Sequence, residues 1–198
     1  MTIMAHPDDA ELWAGGTLAR HAETGGKITI VVPHHDQKRD AEAEAGAAIL
    51  GAQLRQLDHL TTEAIQTILE ENRPTVLITH PPNDIHPEHQ SAARAVLAAI
   101  PESVIAIGHP QRLYTCDGYN NLDSLGSPLY LPTIIDITET FATKMRALQC
   151  HQSQPIGDHF GPMAEALSRV HGQRIGTQHA EAFRPMPILG RLLSTASL

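Results

Sequence analysis

The sequence contains few cysteines, few aromatic residues and fewer basic than acidic residues. Its 198 residues include only Cys116 and Cys150, which form neither a disulfide framework nor a thiolate metal cluster and fit a reducing compartment. Lysine and arginine number 14 against 22 acidic residues, and the net charge of −8 argues against an electrostatic binder of nucleic acid. The first residues lack the basic region and long apolar run of a secretory signal, so we expect a cytoplasmic protein without membrane insertion.

Histidine, by contrast, is abundant. The chain has 13 histidines although phenylalanine, tyrosine and tryptophan together make up only 4% of it. Imidazole in such excess is more typical of metal ligation or proton transfer than of packing. The composition therefore indicates a chemical function.

Short apolar runs alternate with longer amphipathic ones, which predicts an α/β protein, a three-layer Rossmann-like fold with a mainly parallel sheet. The predicted strands lie near 2–5, 27–32, 52–57, 75–79, 104–107 and 134–137. The predicted helices lie near 10–24, 38–50, 62–72 and 87–99, with a further helix ending at 149. We expect one domain over 1–184 and a tail over 185–198 with few packing partners, which is loose or serves contacts in a homo-oligomer.

The segment AHPDD, residues 5–9, lies where the first predicted strand passes into a helix. In open α/β sheets, sites form at this carboxyl end of the strands. His6 and Asp9 can point at one ion, while Asp8, on the other side of the turn, stays off the metal as a free base. The alternative is that Asp8 or Asp9 only caps the helix.

The segment HPPNDIHPEH, residues 80–89, follows the end of another predicted strand. Proline suits the first position of a helix, so Pro87 predicts His86 as the N-cap, with His89 three residues later on the same face. The helix dipole near this end lowers the pKa of histidine and favours the neutral form that a metal binds. Alone, the segment fits a capped helix start; with His6 and Asp9 it completes a site of two histidines and one carboxylate.

These motifs resemble those of the LmbE-like or PIG-L-type metal-dependent N-deacetylases, which remove acetyl groups from glucosamine in glycolipid, mycothiol and bacillithiol precursors. The family's AHPDDxE and GGT correspond to residues 5–11 and 15–17, and its HPDH corresponds to residues 86–89. Residues 39–51 are similar to its RxxE helix ending in LG, residues 151–154 to its HxSQ element and residues 180–183 to its AExF element. The resemblance covers most of the chain.

Carried over by position, the resemblance implies one zinc ion per chain, held by His6, Asp9 and His89. It also implies Asp8 as the general base and His86 as the acid that protonates the departing amine. Zinc suits this reaction because it lowers the pKa of bound water to roughly 7 and polarises the amide carbonyl. Sites of this composition also take Fe²⁺ and other first-row ions. The implied substrate is a small N-acylated amino sugar or conjugate.

Two departures from the family pattern lie close to the expected site. Glu88 stands where the family usually has aspartate, and its side chain is one methylene longer. The resemblance implies that this carboxylate orients His86. Residues 33–38 replace a longer Thr- and Gly-containing loop that covers the substrate in the family, which predicts a remodelled pocket mouth. His151, in the HxSQ element, is expected behind the site and is the next candidate for the acid.

Four residues outside the metal motifs are candidates for substrate binding. His34 and His35 are neighbours in the shortened turn, and consecutive histidines on a loop usually diverge. We therefore expect solvated side chains or substrate contacts there, and treat a metal cluster of His34, His35 and Asp36 as a rival hypothesis. Arg39 and Asp58 correspond to family positions that reach sugar hydroxyls, and their alternative roles are a surface ion and a turn cap.

Other functions compete with N-deacetylation. An amidase that cuts larger N-acyl groups or thiol conjugates, or an enzyme that deacetylates a secondary metabolite, would carry the same motifs. A non-catalytic metal- or sugar-binding module would not need the base, yet Asp8 is present. A Rossmann-type nucleotide binder needs GxGxxG after the first strand, where this chain has HPDD.

Overall fold

The computed structural model describes residues 1–192. Their strands form one seven-stranded sheet. The strands are β1 (Thr2–Ile3), β2 (Thr29–Pro33), β3 (Gln53–Leu57), β4 (Val76–Thr79), β5 (Arg112–Thr115), β6 (Thr133–Asp136) and β7 (Ala180–Met186). Their order is β3-β2-β1-β4-β5-β7-β6. The first five pair in parallel, whereas β7 pairs antiparallel with both β5 and β6. The predicted mainly parallel sheet is confirmed.

Helices cover both faces of the sheet, as the three-layer prediction requires. They are α1 (Asp9–Glu23), α2 (Gln37–Ile49), α3 (Thr62–Asn72), α4 (Pro87–Ile107), α5 (Phe141–Leu148) and α6 (Gly161–Gln173). Successive residues of β2 point to opposite faces. Ile30 therefore joins the buried cluster under α1, α5 and α6, while Val31 joins the cluster under α3 and α4.

The strand predicted over 104–107 is wrong, because α4 continues through it to Ile107. Pro101 lies inside this helix, a position that normally ends or kinks one. The helix continues because Val96, Ile100 and Ser103 bury one face at helical spacing. Among the described residues, α4 alone has the length and apolar composition of a possible membrane span, and 33% of its most apolar stretch is buried in the fold.

The last third of the chain is more regular than predicted. A π-helical turn over Ile156–Phe160 leads into α6, and β7 then inserts between β5 and β6. Pro185 and Met186 belong to β7 and pair with β5, and Ile188 packs on a buried cluster. The expected lack of packing partners is therefore wrong for these residues, and 193–198 lie outside the described residues.

Two glycines of the GGT motif allow α1 to pack closely against its neighbours. A methyl group at Gly16 would stand 2.6 Å from Cδ1 of Ile137, and one at Gly15 would stand 3.1 Å from Cγ of Lys144 in α5. Contacts this short leave little or no room for a larger side chain. The motif therefore fixes the position of α1, which carries Asp9 at its first turn.

Candidate metal centre

Two loops at the carboxyl-terminal edge of the parallel strands form the candidate site. One follows β1 and ends at the N-cap Asp8 of α1; the other follows β4 and ends at the N-cap His86 of α4. β1 and β4 are neighbours in the sheet, so the two loops lie side by side. The N-cap position of His86 and Pro87 at the helix start agree with the prediction, and Nδ1 of His86 accepts the amide N–H of Glu88 at 3.2 Å.

The structure brings His6, Asp9 and His89 together. Nδ1 of His6 lies 3.1 Å from Oδ2 of Asp9 and 3.1 Å from Nε2 of His89, and that Nε2 lies 3.4 Å from Oδ1 of Asp9. A tetrahedral zinc ion with ligand bonds of about 2.0–2.1 Å separates its ligand atoms by about 3.3–3.4 Å. The donor spacing therefore fits such an ion, and the ligand roles stay predictions that this geometry supports.

Inside this cluster, neighbouring groups of opposite charge offset the effect of burial on the pKa values of Asp9 and His89. Burial opposes ionisation of Asp9, but the neighbouring His80 and His89 hold its pKa well below the usual value. Burial also lowers the pKa of His89, yet Asp9 and Asp84 outweigh it and raise this pKa to about 10. The predicted lowering by the helix dipole is therefore wrong for His89, because two carboxylates face its ring. A divalent ion must displace a proton from His89 to bind there.

His80, to which the sequence assigned no role, lies inside the cluster. Its Nε2 is 3.1 Å from Oδ2 of Asp9, and its ring stacks on His89 with centroids 3.9 Å apart. Two overlapping groups therefore have metal-ligand spacing, namely Asp9, His80 and His89, and His6, His86 and His89. The amide N–H of Ala5 donates to Nε2 of His80 at 3.1 Å and engages its lone pair. We therefore assign His80 to support of His89 by stacking rather than to ligation.

Two carboxylates contact the predicted histidine ligands from outside the cluster. Oδ2 of the buried Asp84 lies 3.2 Å from Nδ1 of His89. Oε2 of Glu88 lies 2.5 Å from Nε2 of His6. The Glu88 carboxylate thus contacts His6 instead of the expected His86. Such carboxylate partners orient metal-binding imidazoles and fix their tautomers.

Asp8 stands beside the cluster, and its side chain faces Arg39. Oδ1 of Asp8 accepts from Nη2 of Arg39 at 3.0 Å, and Nη1 of Arg39 lies 3.0 Å from Nε2 of His35. Burial and the charge of Asp9 raise the pKa of Asp8, which His151 and Arg39 partly offset. A raised pKa suits a carboxylate that must accept a proton. Arg39 therefore holds the candidate base, a contact that the sequence motif did not predict.

The HxSQ element packs behind Asp8. His151 is buried, with Nε2 3.7 Å from Oε2 of Glu11. Burial lowers the pKa of His151, but the carboxylates of Glu11 and Asp8 raise it overall. Glu42, of the RxxE helix, accepts from the amide and hydroxyl of Ser153 at 2.9 and 2.5 Å. These motifs therefore join α1, α2 and the segment after α5, with His151 behind the site as expected.

A groove of about 410 Å³ opens next to His6. Its polar lining includes the substrate-contact candidates His34, His35 and Asp58, together with His6, His59, Glu88 and Ser91. The shortened turn after β2 therefore forms one wall of this groove. The substrate contacts of these candidates stay predictions.

The rival metal cluster of His34, His35 and Asp36 is not formed. Oδ1 of Asp36 caps α2 by accepting the amides of residues 38 and 39 at 2.9 and 3.0 Å. Nδ1 of His34 lies 3.0 Å from Oδ2 of Asp40. His35 turns to Arg39, so the three side chains have separate partners.

Comparisons with known proteins show that this mixed α/β chain is a deacetylase, a hydrolase that acts on amide bonds. Residues 1–100 match the PIG-L family model, described as GlcNAc-PI de-N-acetylase, and the chain belongs to this family. The chain is also 24% identical to a diacetylchitobiose deacetylase from Thermococcus kodakarensis. The alignment of 223 residues covers 94% of this chain and 82% of the relative. The predicted family and enzyme class are confirmed.

Solved structures show the same fold. The conserved protein TT1542 from Thermus thermophilus superposes with a TM-score of 0.78 at 24% identity, covering 95% of this chain and 94% of that chain. The 4-carboxy-2-hydroxymuconate hydratase GalB from Pseudomonas putida KT2440 gives a TM-score of 0.75 at 18% identity, covering 98% and 100%. Because one fold serves different reactions, the reaction must be argued from the site residues.

Proposed function

We propose that this protein is a metal-dependent N-deacetylase that removes an acetyl or related acyl group from a small amino-sugar substrate. The observation that carries the proposal is the convergence of donor atoms from His6, Asp9 and His89 at 3.1–3.4 Å, with Asp8 beside them. Two histidines and one carboxylate suit Zn²⁺, with one ion per chain, and also suit Fe²⁺.

The residues around this centre have separable tasks. The ion, when bound, would polarise the amide carbonyl and acidify the attacking water. Asp8 accepts the proton of that water at its carboxylate, which Arg39 holds through the 3.0 Å contact. The Glu88 amide donates to Nδ1 of His86, so the neutral ring carries its hydrogen on Nε2. This N–H can donate a hydrogen bond to the substrate. To protonate the departing amine, His86 must act as the imidazolium, which passes one proton to the amine nitrogen as the C–N bond breaks and returns to the neutral ring.

The groove beside His6 supports a hydroxyl-rich substrate. Its 410 Å³ lies within the range of about 300–1,000 Å³ common for small-molecule sites. His34, His35 and Asp58 offer donors and acceptors for sugar hydroxyls along its wall. The relative from Thermococcus kodakarensis is named for an N-acetylated disaccharide, which also favours an amino sugar. Larger N-acyl groups and thiol conjugates are the alternative substrates of the same reaction.

The cellular setting belongs to this proposal as well. The net charge of −8 favours a small-molecule partner over nucleic acid, and the two cysteines are free. A cytoplasmic enzyme fits both observations.

A screen for amine release tests the proposal. The protein is stripped with a chelator, reloaded with one equivalent of Zn²⁺ or Fe²⁺, and incubated with N-acetylglucosamine, N,N′-diacetylchitobiose and N-acyl conjugates. We expect free amine only from the reloaded protein. Asp8→Asn should keep the metal and lose about 10²–10⁴-fold in rate, whereas the exposed control Asp158→Asn should leave both unchanged. Absence of amine release from every substrate, or near-normal turnover by Asp8→Asn, would contradict the proposal.

A further inference from the structure

Glu88 makes a contact that its surface position does not require. It is the second residue of α4, and its side chain is 69% exposed. Its Oε2 nevertheless lies 2.5 Å from Nε2 of His6, whose side chain is only 13% exposed. The contact joins the loop after β1 to the start of α4, which are the two segments that form the candidate metal centre.

This contact determines which nitrogen of His6 carries hydrogen. An ionised carboxylate only accepts hydrogen bonds, so Nε2 of His6 must be the donor. The other nitrogen, Nδ1, lies 3.1 Å from both Oδ2 of Asp9 and Nε2 of His89. Because the Asp9 carboxylate is also an acceptor, Nδ1 can carry a hydrogen when no ion is bound. An ion held among these atoms takes the place of that hydrogen, while the Glu88 contact keeps the other hydrogen on Nε2. The Glu88 contact therefore selects the tautomer and ring orientation that ligation through Nδ1 needs.

The length of the glutamate side chain is part of this arrangement. An aspartate at position 88 would be one methylene shorter, and a carbon–carbon bond spans about 1.5 Å. With the backbone in the same place, the 2.5 Å contact would open to about 4 Å, which is beyond hydrogen-bonding distance. The amide N–H of residue 88 would still donate to Nδ1 of His86, because that bond uses the backbone of residue 88.

We propose that Glu88 is a positioning residue that holds His6 as an Nδ1 ligand and thereby strengthens metal binding. The proposal rests on the proposed function, since it assumes that His6 binds the ion. Oδ2 of Asp84 lies 3.2 Å from Nδ1 of His89, so each predicted histidine ligand has its own carboxylate neighbour. The two partners differ in exposure, because Asp84 is fully buried whereas Glu88 also lines the groove.

Zinc affinity, measured without substrate by competition with a chromogenic chelator, tests this inference. Glu88→Ala and Glu88→Asp should each weaken zinc binding by about 10–100-fold, as loss of such a partner usually does. Glu88→Gln keeps the length and one acceptor oxygen, so it should lose less than Glu88→Asp. Glu102→Ala, at an exposed glutamate of the same helix, is the matched control and should bind like the wild type.

A spectroscopic readout separates positioning from general stability. In ¹⁵N spectra of the zinc-loaded wild type, His6 should show hydrogen on Nε2 and coordination through Nδ1, and Glu88→Ala should lose this single, protected Nε2–H signal. Unchanged zinc affinity and an unchanged His6 spectrum in Glu88→Ala would overturn the role of Glu88 but not the proposed function. Wild-type affinity in Glu88→Asp would overturn the role of length. Failure of the wild type to bind zinc would overturn both this inference and the proposed function.

Discussion

Removal of Lys144 should destabilise the protein strongly although this residue lies outside the proposed chemistry. Nζ of Lys144 lies 2.6 Å from Oε1 of Glu181, and both side chains are 4% exposed. Glu181 also accepts the amides of Gly16 and Thr17 at 3.0 and 2.7 Å. The AExF element thus ties β7 to α1 and α5, and Lys144→Met would leave a buried carboxylate without its counter-charge.

The expected cost follows from this burial. Breaking a buried ion pair from one side lowers the free energy of unfolding by about 3–5 kcal/mol. In a domain of this size each kcal/mol shifts the melting temperature by about 2–4 °C, so we expect a fall of about 6–20 °C. In Lys144→Met/Glu181→Gln, both charges are absent and the glutamine oxygen can still accept from Gly16 or Thr17. The double variant should therefore recover at least about 2 kcal/mol relative to Lys144→Met.

Thermal and urea unfolding of the four proteins of this double-mutant cycle measure the effect. Lys27→Met, at an exposed lysine, is the control and should change the unfolding free energy by less than about 0.5 kcal/mol. Lys144→Met should keep its turnover per folded molecule at low temperature, because its role is structural. A loss below about 1 kcal/mol in Lys144→Met, or simple additivity in the cycle, would refute the reasoning.

Further predictions concern the metal centre itself. His89→Ala should lose most bound zinc at limiting ion, and His80→Ala should lose less; equal losses measured by elemental analysis would contradict the assignment of His80 to support. Burial, followed by the charges of His89 and His6, lowers the pKa of His86, so an acid role predicts a rate that falls as the pH rises through this lowered value. His86→Ala should then flatten the alkaline limb of the pH–rate profile while keeping bound metal, and a persisting limb would move the acid role to another group, with His151 the next candidate.

The ends of the first and fourth strands could be predicted from sequence because local rules determine them. A histidine and two aspartates after a buried strand predict a turn at the sheet edge, and Pro87 predicts the start of a helix with His86 as its N-cap. Neighbouring parallel strands then bring the two segments together without further information. The candidate donors could thus be located without knowledge of how their side chains pair.

The partners of these donors depend on distances between elements, which the sequence does not display. His80 is the first residue after a predicted strand and belongs to no metal motif, but its ring stacks on His89. Arg39 looked like a substrate contact, but the first turn of α2 places its guanidinium against Asp8. The same reason explains α4, since the burial of Ile100 against the core sustains a helix through Pro101.

The contact between Glu88 and His6 also affects the difference between a metal-ligand histidine and the candidate acid, His86. An adjacent carboxylate raises the pKa of an imidazole. The Glu88 carboxylate contacts His6 rather than His86. Burial and the charges of His89 and His6 therefore outweigh the charge of Glu88, and the pKa of His86 is lowered. A histidine in that state gives up its proton more readily to a departing amine than a carboxylate-paired one would. One additional methylene at position 88 therefore strengthens the support of a ligand and leaves the candidate acid without a direct contact to the Glu88 carboxylate.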